Sequence, residues 1–128
     1  MKTLNCLTLL VFFICISLYA QEKGPQISFE TSLIDYGTIE NGSEGKRSFN
    51  FKNTGDQELI IKNVRSSCGC TIPKKPDAPI IPGEKSEIIV EYDTNRQGPF
   101  RKTITISTNV EDLPIIALKI KGIVLPKK

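Results

Sequence analysis

Two cysteines separated by one glycine, Cys68-Gly69-Cys70, are the residues of this sequence best suited to chemistry. Two thiols this close can form a local disulfide, exchange it with another thiol, or bind a soft metal ion. On an extended strand their Cα atoms lie about 6.5–7 Å apart, at the edge of the disulfide range. A bridge therefore needs a local kink, which Gly69 allows because glycine reaches backbone conformations that other residues avoid.

Three interpretations of Cys68 and Cys70 are compatible with the sequence. In the structural one, the side chains pack at a corner of the fold or form a bridge that rigidifies a turn. In the redox one, they are a thiol–disulfide site, because a bridge across so small a ring is strained and labile. In the metal one, they bind Cu(I), since tetrahedral zinc needs four ligands and the chain contains no histidine.

The composition argues against several other classes of function. Without histidine, neither Ser–His–Asp nor Cys–His catalysis is possible. The chain has 17 Lys and Arg and 14 Asp and Glu residues, interspersed along its length. This distribution does not form the basic patch that binding to nucleic acid requires. We therefore expect no enzyme activity, no cofactor and no nucleic-acid partner.

The first twenty residues have the pattern of a secretory signal peptide. Lys2 provides the positive charge, residues 7–18 form an apolar run, and Ala20 is a small residue at the expected cleavage site. A membrane-spanning helix needs roughly 20 apolar residues, so cleavage is favoured over an uncleaved anchor. We expect export to the periplasm or the cell surface, with no transmembrane segment in the mature chain. Exposed thiols tend to oxidise there.

Beyond residue 25, apolar and polar side chains alternate, as they do around Phe49 and Phe51 or Ile104 and Ile106. Strict alternation is typical of half-buried strands. The pattern predicts about seven strands joined by turns, and hence an all-β, antiparallel β-sandwich over residues 26–125. The strands are expected near residues 26–30, 33–36, 46–52, 57–65, 85–92, 100–108 and 114–124.

Three turn or loop features complete this prediction. Residues 53–56 are expected to join two hairpin partners, and Gly122 is expected to mark a bulge in the last strand. Residues 71–84 contain four prolines, at positions 73, 76, 79 and 82, which forbid a central strand. This stretch is interpreted as a stiff crossover between the sheets or as a ridge presented to a partner.

Several short motifs resemble one known family. They are Asn53-Thr54-Gly55, Leu59-Ile60-Ile61, Ser67-Cys68-Gly69-Cys70-Thr71, Pro82-Gly83-Glu84, the stretch from Gly98 to Ile104, and Asn109. Together, over residues 34–124, they are similar to the domain of unknown function 1573, a family of exported bacterial proteins. The resemblance implies an immunoglobulin-like sandwich, similar to Hydin-type and major-sperm-protein-like modules. It implies no catalytic residues.

The sequence therefore favours a non-enzymatic interaction or structural module of the cell envelope. Such a module would present an edge strand or the proline-rich loop to an unidentified protein partner. The alternative is a thiol redox or Cu(I)-binding protein that acts through the cysteine pair. The candidate binding residues are Cys68, Gly69, Cys70, Thr71 and Pro73, of which only Cys68 and Cys70 are candidate metal ligands.

Overall fold

The computed structural model describes residues 23–128. The predicted signal peptide, residues 1–20, lies outside this part of the chain. The described residues form eight strands: β1 (Ile27–Phe29), β2 (Leu33–Ile39), β3 (Lys46–Asn53), β4 (Ile61–Ser66), β5 (Thr71–Lys74), β6 (Lys85–Tyr92), β7 (Gly98–Thr108) and β8 (Ile115–Val124). Within residues 23–128, no helix has the length and apolar character needed to cross a membrane.

The strands form two four-stranded sheets. Sheet A has the order β1-β3-β6-β5, and sheet B has the order β2-β8-β7-β4. Neighbouring strands are antiparallel except β2 and β8, which are parallel. The structure confirms the predicted immunoglobulin-like β-sandwich, with eight strands instead of about seven and with one parallel pair.

A single hydrophobic core lies between the two sheets. Phe49 and Ile88 from sheet A and Ile104 and Leu118 from sheet B are fully buried in it. Asn50, next to Phe49 in β3, points to solvent, as the alternating pattern predicts. Burying side chains of this size contributes about 1.5–3 kcal/mol each, so this core is the main source of stability.

The turn at residues 53–56 is not part of a hairpin, so that prediction was wrong. β3 lies in sheet A and β4 in sheet B, and the chain crosses between the sheets after β3. Leu59 is fully buried and forms an isolated bridge with Ile80, so residues 57–60 close one end of the sandwich before β4 begins at Ile61. Alternation of side chains cannot distinguish a turn within one sheet from a crossing between two.

The predicted bulge at Gly122 lies in the partner strand instead. β8 pairs with β7 without interruption, whereas in β2 the register shifts between Asp35 and Thr38, opposite Gly122. A Cβ atom on Gly122 would lie 2.8 Å from the Tyr36 Cβ and from the ring of Phe100. Glycine is required here because two aromatic residues pack against the backbone, not because β8 bends.

The proline-rich stretch is also placed differently from the prediction. The sheets are connected by residues 67–70, while residues 75–84 join β5 to β6 within sheet A. Residues 71–74 form β5, a strand that the prediction missed. Pro73 is tolerated there because β5 is an edge strand, and a proline without an N–H can face the open side of a sheet.

Candidate functional site: a disulfide corner and an open sheet edge

Residues 67–70, which we call the disulfide corner, carry the chain from β4 to β5. Cys68 and Cys70 form a disulfide, with their Cα atoms 5.4 Å apart. Hydrogen bonds fix both ends of the corner: Ser67 N–H donates to the Thr103 carbonyl at 3.0 Å, and Asp93 N–H donates to the Cys70 carbonyl at 2.8 Å. The corner is therefore anchored to a central strand of sheet B and to the end of β6.

The two sulfur-bearing residues have different surroundings. Cys70 is 3% exposed and belongs to the hydrophobic core, whereas Cys68 is half-buried and only packs against that core. Cys70 N–H donates to the Cys68 sulfur at 3.2 Å. The Thr71 hydroxyl lies 3.9 Å from the Cys70 sulfur. A bridged sulfur carries no hydrogen, so in this contact Thr71 is the donor. Each sulfur thus accepts one hydrogen bond.

Gly69 does not play the part predicted for it. Its φ angle is not positive, in contrast to the φ angles of Gly37 and Gly83, so it uses no conformation that is reserved for glycine. A Cβ atom on Gly69 would meet no other atom within 4 Å. The corner therefore accommodates the bridge without a left-handed residue, and the missing side chain leaves open space beside the disulfide.

The remaining candidate residues follow directly in β5. Thr71 is buried, and Pro73 is half-buried in the edge strand. The five candidate residues are thus neighbours in the structure. They extend from the core to the surface and do not surround an enclosed cleft. In the described part of the chain, no three His, Cys, Asp or Glu side chains converge as a metal site would require. In the bridged state neither sulfur is a thiolate, the form that binds metal ions.

The sheet edges are a second candidate, because a free edge can accept an added strand. At β5, Asp93 donates to the Cys70 carbonyl, so the alternation of antiparallel bonding turns the backbone groups of Thr71 and Pro73 outward. Thr71 N–H already donates to the Cys68 carbonyl at 3.4 Å, and Pro73 has no N–H. Neither residue offers a donor to a new strand.

The two edges of sheet B are also protected. In β2, Gly37 N–H bonds to the Asp35 carboxylate at 2.8 Å, Leu33 N–H bonds to the Thr31 hydroxyl at 3.3 Å, and the strand is bulged. In β4, the register shifts beside Lys62, and Lys62 and Arg65 are exposed. Bulges and basic side chains are devices that discourage pairing at an edge.

Within residues 23–128, the edge at β1, which is three residues long, carries neither a bulge nor a basic side chain. Glu30 N–H donates to the Asn50 carbonyl of β3 at 3.0 Å. By the same alternation, the N–H and C=O groups of Ile27 and Phe29 point away from β3. Their side chains pack against the core, so these two residues are held in an extended conformation with their backbone groups presented outward. Sequence reasoning missed them, because alternation shows which residues are strands but not which strand is outermost.

A groove lies beside this edge. It is about 580 Å³ in volume and is lined by residues 28–30, 50–52 and 85–87 of three neighbouring strands. Lys52 and Lys85 are paired across β3 and β6, and the next outward-facing positions along those strands are Asn50 and Glu87. With exposed Glu30, which directly follows β1, the groove carries two positive and two negative side chains and is suited to polar segments.

Tyr36 is the described residue with the largest change in acidity, and it lies away from both candidates. Burial raises the pKa of the Tyr36 hydroxyl to about 12, against the opposing influence of the Arg47 charge. The hydroxyl donates to the buried Gly45 carbonyl at 2.8 Å, and the Arg47 guanidinium carbon lies 4.2 Å from the ring centre. These contacts secure the start of β3.

Comparison with known proteins places this geometry in a family. The sequence profile described as "Protein of unknown function (DUF1573)" matches residues 27–124, from the first strand to the last. The chain belongs to the DUF1573 family. This confirms the resemblance noted from the motifs. No curated protein matches the sequence of this DUF1573 domain.

Solved structures share the fold of this DUF1573 domain at low sequence identity. A protein of unknown function from Porphyromonas gingivalis is 17% identical with a TM-score of 0.70, over 82% of this chain and 50% of that one. A PapD-like domain of human CEP192 is 8% identical with a TM-score of 0.67, over 85% and 92%. The DUF1573 chain therefore spans half the length of the Porphyromonas protein.

A third similar structure comes from a bacterial assembly system. It is a chain of the CsuC–CsuE chaperone–tip adhesion subunit pre-assembly complex of Acinetobacter baumannii. It is 14% identical with a TM-score of 0.54, over 80% of this chain and 57% of that one. The structural similarity shows that the DUF1573 domain has a PapD-like, immunoglobulin-type fold. At identities this low it shows the fold alone.

Proposed function

We propose that this DUF1573 domain is a non-enzymatic protein-interaction module of the cell envelope, which binds an extended segment of a partner protein along β1. The observation that carries the proposal is the outward direction of the Ile27 and Phe29 backbone groups at the least protected sheet edge. The similar Acinetobacter structure is a chaperone–subunit complex, in which a fold of this type takes part in an assembly.

The expected affinity follows from the number of backbone groups. The N–H and C=O groups of Ile27 and Phe29 provide four hydrogen bonds to a partner strand. At about 1 kcal/mol net for each bond, the backbone alone supports only roughly millimolar binding. Tighter binding must come from side chains of the partner that reach the groove beside Lys52, Lys85, Glu30 and Glu87. The groove would therefore determine which partner is selected.

Three further observations support a non-enzymatic, exported module. The sequence contains no histidine, and the buried polar side chains at Asn53, Thr71 and Thr108 are engaged in contacts within the fold. The N-terminal pattern of residues 1–20 favours export. In this proposal the partner is a protein of the envelope, and neither nucleic acid nor a bound cofactor takes part.

A pair of substitutions at Ile27 tests the use of the edge. Ile27→Pro removes the outward N–H and places a ring on the edge, whereas Ile27→Ala removes more of the side chain but keeps the N–H. Partners would be captured from envelope extracts by cross-linking and identified by mass spectrometry. The wild type and Ile27→Ala should retain the partner, and Ile27→Pro should weaken its binding at least roughly tenfold.

Amide signals in NMR spectra provide the second readout. Addition of the captured partner should shift the signals of Ile27 and Phe29 far more than that of Val64 in β4. Circular dichroism and melting curves must show that both Ile27 variants fold. Equal capture by all three proteins would exclude β1 as the binding edge. Loss of binding on substitution of exposed Ile72 or Ile81 instead would assign the interaction to the proline-rich stretch.

A further inference from the structure

We propose that the Cys68–Cys70 bridge is a thiol–disulfide exchange site, at which Cys68 forms a mixed disulfide with an external dithiol and Cys70 is the resolving cysteine. This inference is independent of partner binding at β1. It rests on the position of the bridge, the unequal exposure of its two sulfurs and the donors that face them.

The bridge joins parts of the chain that are already held in place. It closes a ring of only three residues, so it restricts the unfolded chain very little. The same crossover is fixed independently by the Ser67–Thr103 and Cys70–Asp93 backbone hydrogen bonds. Its Ser67 hydroxyl also accepts a bond from Thr103 N–H at 3.2 Å. A bond that adds so little to the fold is better explained by its reactivity.

Access selects Cys68 as the sulfur that is attacked. Cys70 belongs to the core and is 3% exposed, while Cys68 is half-buried at the margin of the core. Gly69 between them is exposed, and the space that its side chain would occupy is empty. An incoming thiolate can approach from this side, and exchange requires such access to one sulfur.

The hydrogen bonds favour the same direction of reaction. When Cys68 is attacked, Cys70 is the leaving group, and the Thr71 hydroxyl is placed to donate to its negative sulfur. In the reverse direction, Cys68 is the attacking thiolate, and Cys70 N–H is placed to stabilise it. Both sulfurs thus have a donor for the charged form that each adopts during exchange.

The exchange is balanced as follows. A thiolate of the dithiol attacks the Cys68 sulfur, a new S–S bond forms between them, and the Cys68–Cys70 bond breaks. The electron pair goes to the Cys70 sulfur, which then takes up a proton. The second thiol of the partner, after losing its proton, attacks the partner's own sulfur and releases Cys68 as a thiolate that is protonated in turn. The bridge is reduced by two electrons, and the dithiol is oxidised to a disulfide.

Glutathione and dithiothreitol serve as probes for the test. The purified protein is equilibrated with buffers of reduced and oxidised glutathione, quenched with acid, alkylated and analysed by intact mass and peptide mapping. We expect reversible interconversion of bridge and dithiol, with glutathione attached at Cys68. In the reduced state, Cys70→Ser should react with oxidised glutathione at least tenfold faster than Cys68→Ser, whose remaining thiol is buried.

Substitutions of Thr71 and Gly69 separate a chemical role from a structural one. Thr71→Val keeps the shape but loses the hydroxyl, and should slow reduction of the bridge by dithiothreitol roughly fivefold, while Thr71→Ser should restore the rate. Gly69→Val should also slow it by covering the open side, and Gly69→Ala should do so less. Ile27→Pro should leave the rate unchanged, so failure of either proposal is recognisable separately.

Three results would overturn the proposal. One is reduction of the bridge only at the rate of global unfolding. Another is equal labelling of Cys68 and Cys70 by glutathione. The third is a reduction rate that is the same in Thr71→Val and Thr71→Ser, with circular dichroism showing that both are folded.

Discussion

Two crossovers between the sheets are secured in contrasting ways. After β3, the fully buried side chain of Asn53 bonds to backbone groups of four residues. Two of these, Gln26 and Ile80, are each 27 residues away along the chain. Between β4 and β5, the disulfide joins Cys68 to Cys70, only two residues away.

We expect the disulfide to stabilise the fold less than the Asn53 amide does. The Asn53 amide connects the residue before β1, the loop after β3 and the proline-rich stretch, so it holds together segments that would otherwise separate. The disulfide connects residues that the chain keeps close in any case. We therefore expect changes at Asn53 to act on stability and changes at the disulfide corner to act on reactivity.

The largest expected effect is that of Asn53→Ala. It leaves the Gln57 carbonyl and the Gly55 N–H without their side-chain partner, and the buried Ile80 carbonyl keeps only its bond from Leu59 N–H. We expect the free energy of unfolding to fall by roughly 2–4 kcal/mol, measured by urea denaturation. Asn50→Ala on the exposed face of the same strand is the matched control and should change it by less than about 0.5 kcal/mol. Equal effects of the two variants would remove the basis of the comparison.

Tyr36→Phe tests a third crossover, between β2 and β3, and should have a smaller effect. The Gly45 carbonyl loses the Tyr36 hydroxyl but keeps its bond from Tyr92 N–H, so a loss of about 1 kcal/mol is expected. A destabilisation as large as that of Asn53→Ala would mean that the tyrosine hydroxyl stabilises the fold as much as the Asn53 amide does.

Tyr36 also makes stability dependent on alkaline pH. Its pKa is about 12 in the folded protein and 10 in the unfolded chain, so the unfolded state loses the proton first. The tyrosine's contribution is fully present below pH 10 and is lost as the pH rises towards 12. Between pH 9 and 12, the free energy of unfolding should therefore fall more steeply with pH for the wild type than for Tyr36→Phe. Burial also raises the pKa of Tyr92, so the free energy of unfolding of Tyr36→Phe should still fall somewhat in this pH range.

Reduction of the disulfide should cost less than Asn53→Ala. A ring of three residues accounts for at most roughly 1.6 kcal/mol of unfolded-state entropy. Melting temperatures of the oxidised and the reduced, alkylation-checked protein measure this difference. A decrease of about 3 kcal/mol or more in the free energy of unfolding would show that the bridge contributes substantially to stability.

Gly69→Ala is expected to have the smallest effect. The added methyl group meets no atom within 4 Å, and the backbone at Gly69 is not in the left-handed region. We expect a change within about 0.5 kcal/mol. Gly122→Ala, with 2.8 Å to the Tyr36 Cβ, is the contrasting glycine and should cost about 1–3 kcal/mol through overpacking. Similar values for the two would contradict the different roles assigned to them.

Much of the candidate site was visible in the sequence, but its environment was not. The spacing of Cys68 and Cys70 allowed a packed pair, a local bridge or a metal site, and the structure contains a local bridge at a corner between the sheets. The unequal burial of the two sulfurs depends on how the core closes around Cys70, which no spacing rule contains. The buried role of Asn53 was missed for the same reason, since an asparagine two residues before a glycine is equally typical of an exposed turn.

The amino-acid sequence alone predicts that this chain forms half-buried strands, because a two-residue period of apolar side chains can be buried on only one face of a sheet. It also determined which residues of β3, β6, β7 and β8 line the core. The folded structure was needed to show which strands are edges, where the chain changes sheets and which sulfur is accessible. These features depend on contacts between residues far apart in the chain, and a local pattern carries no record of them.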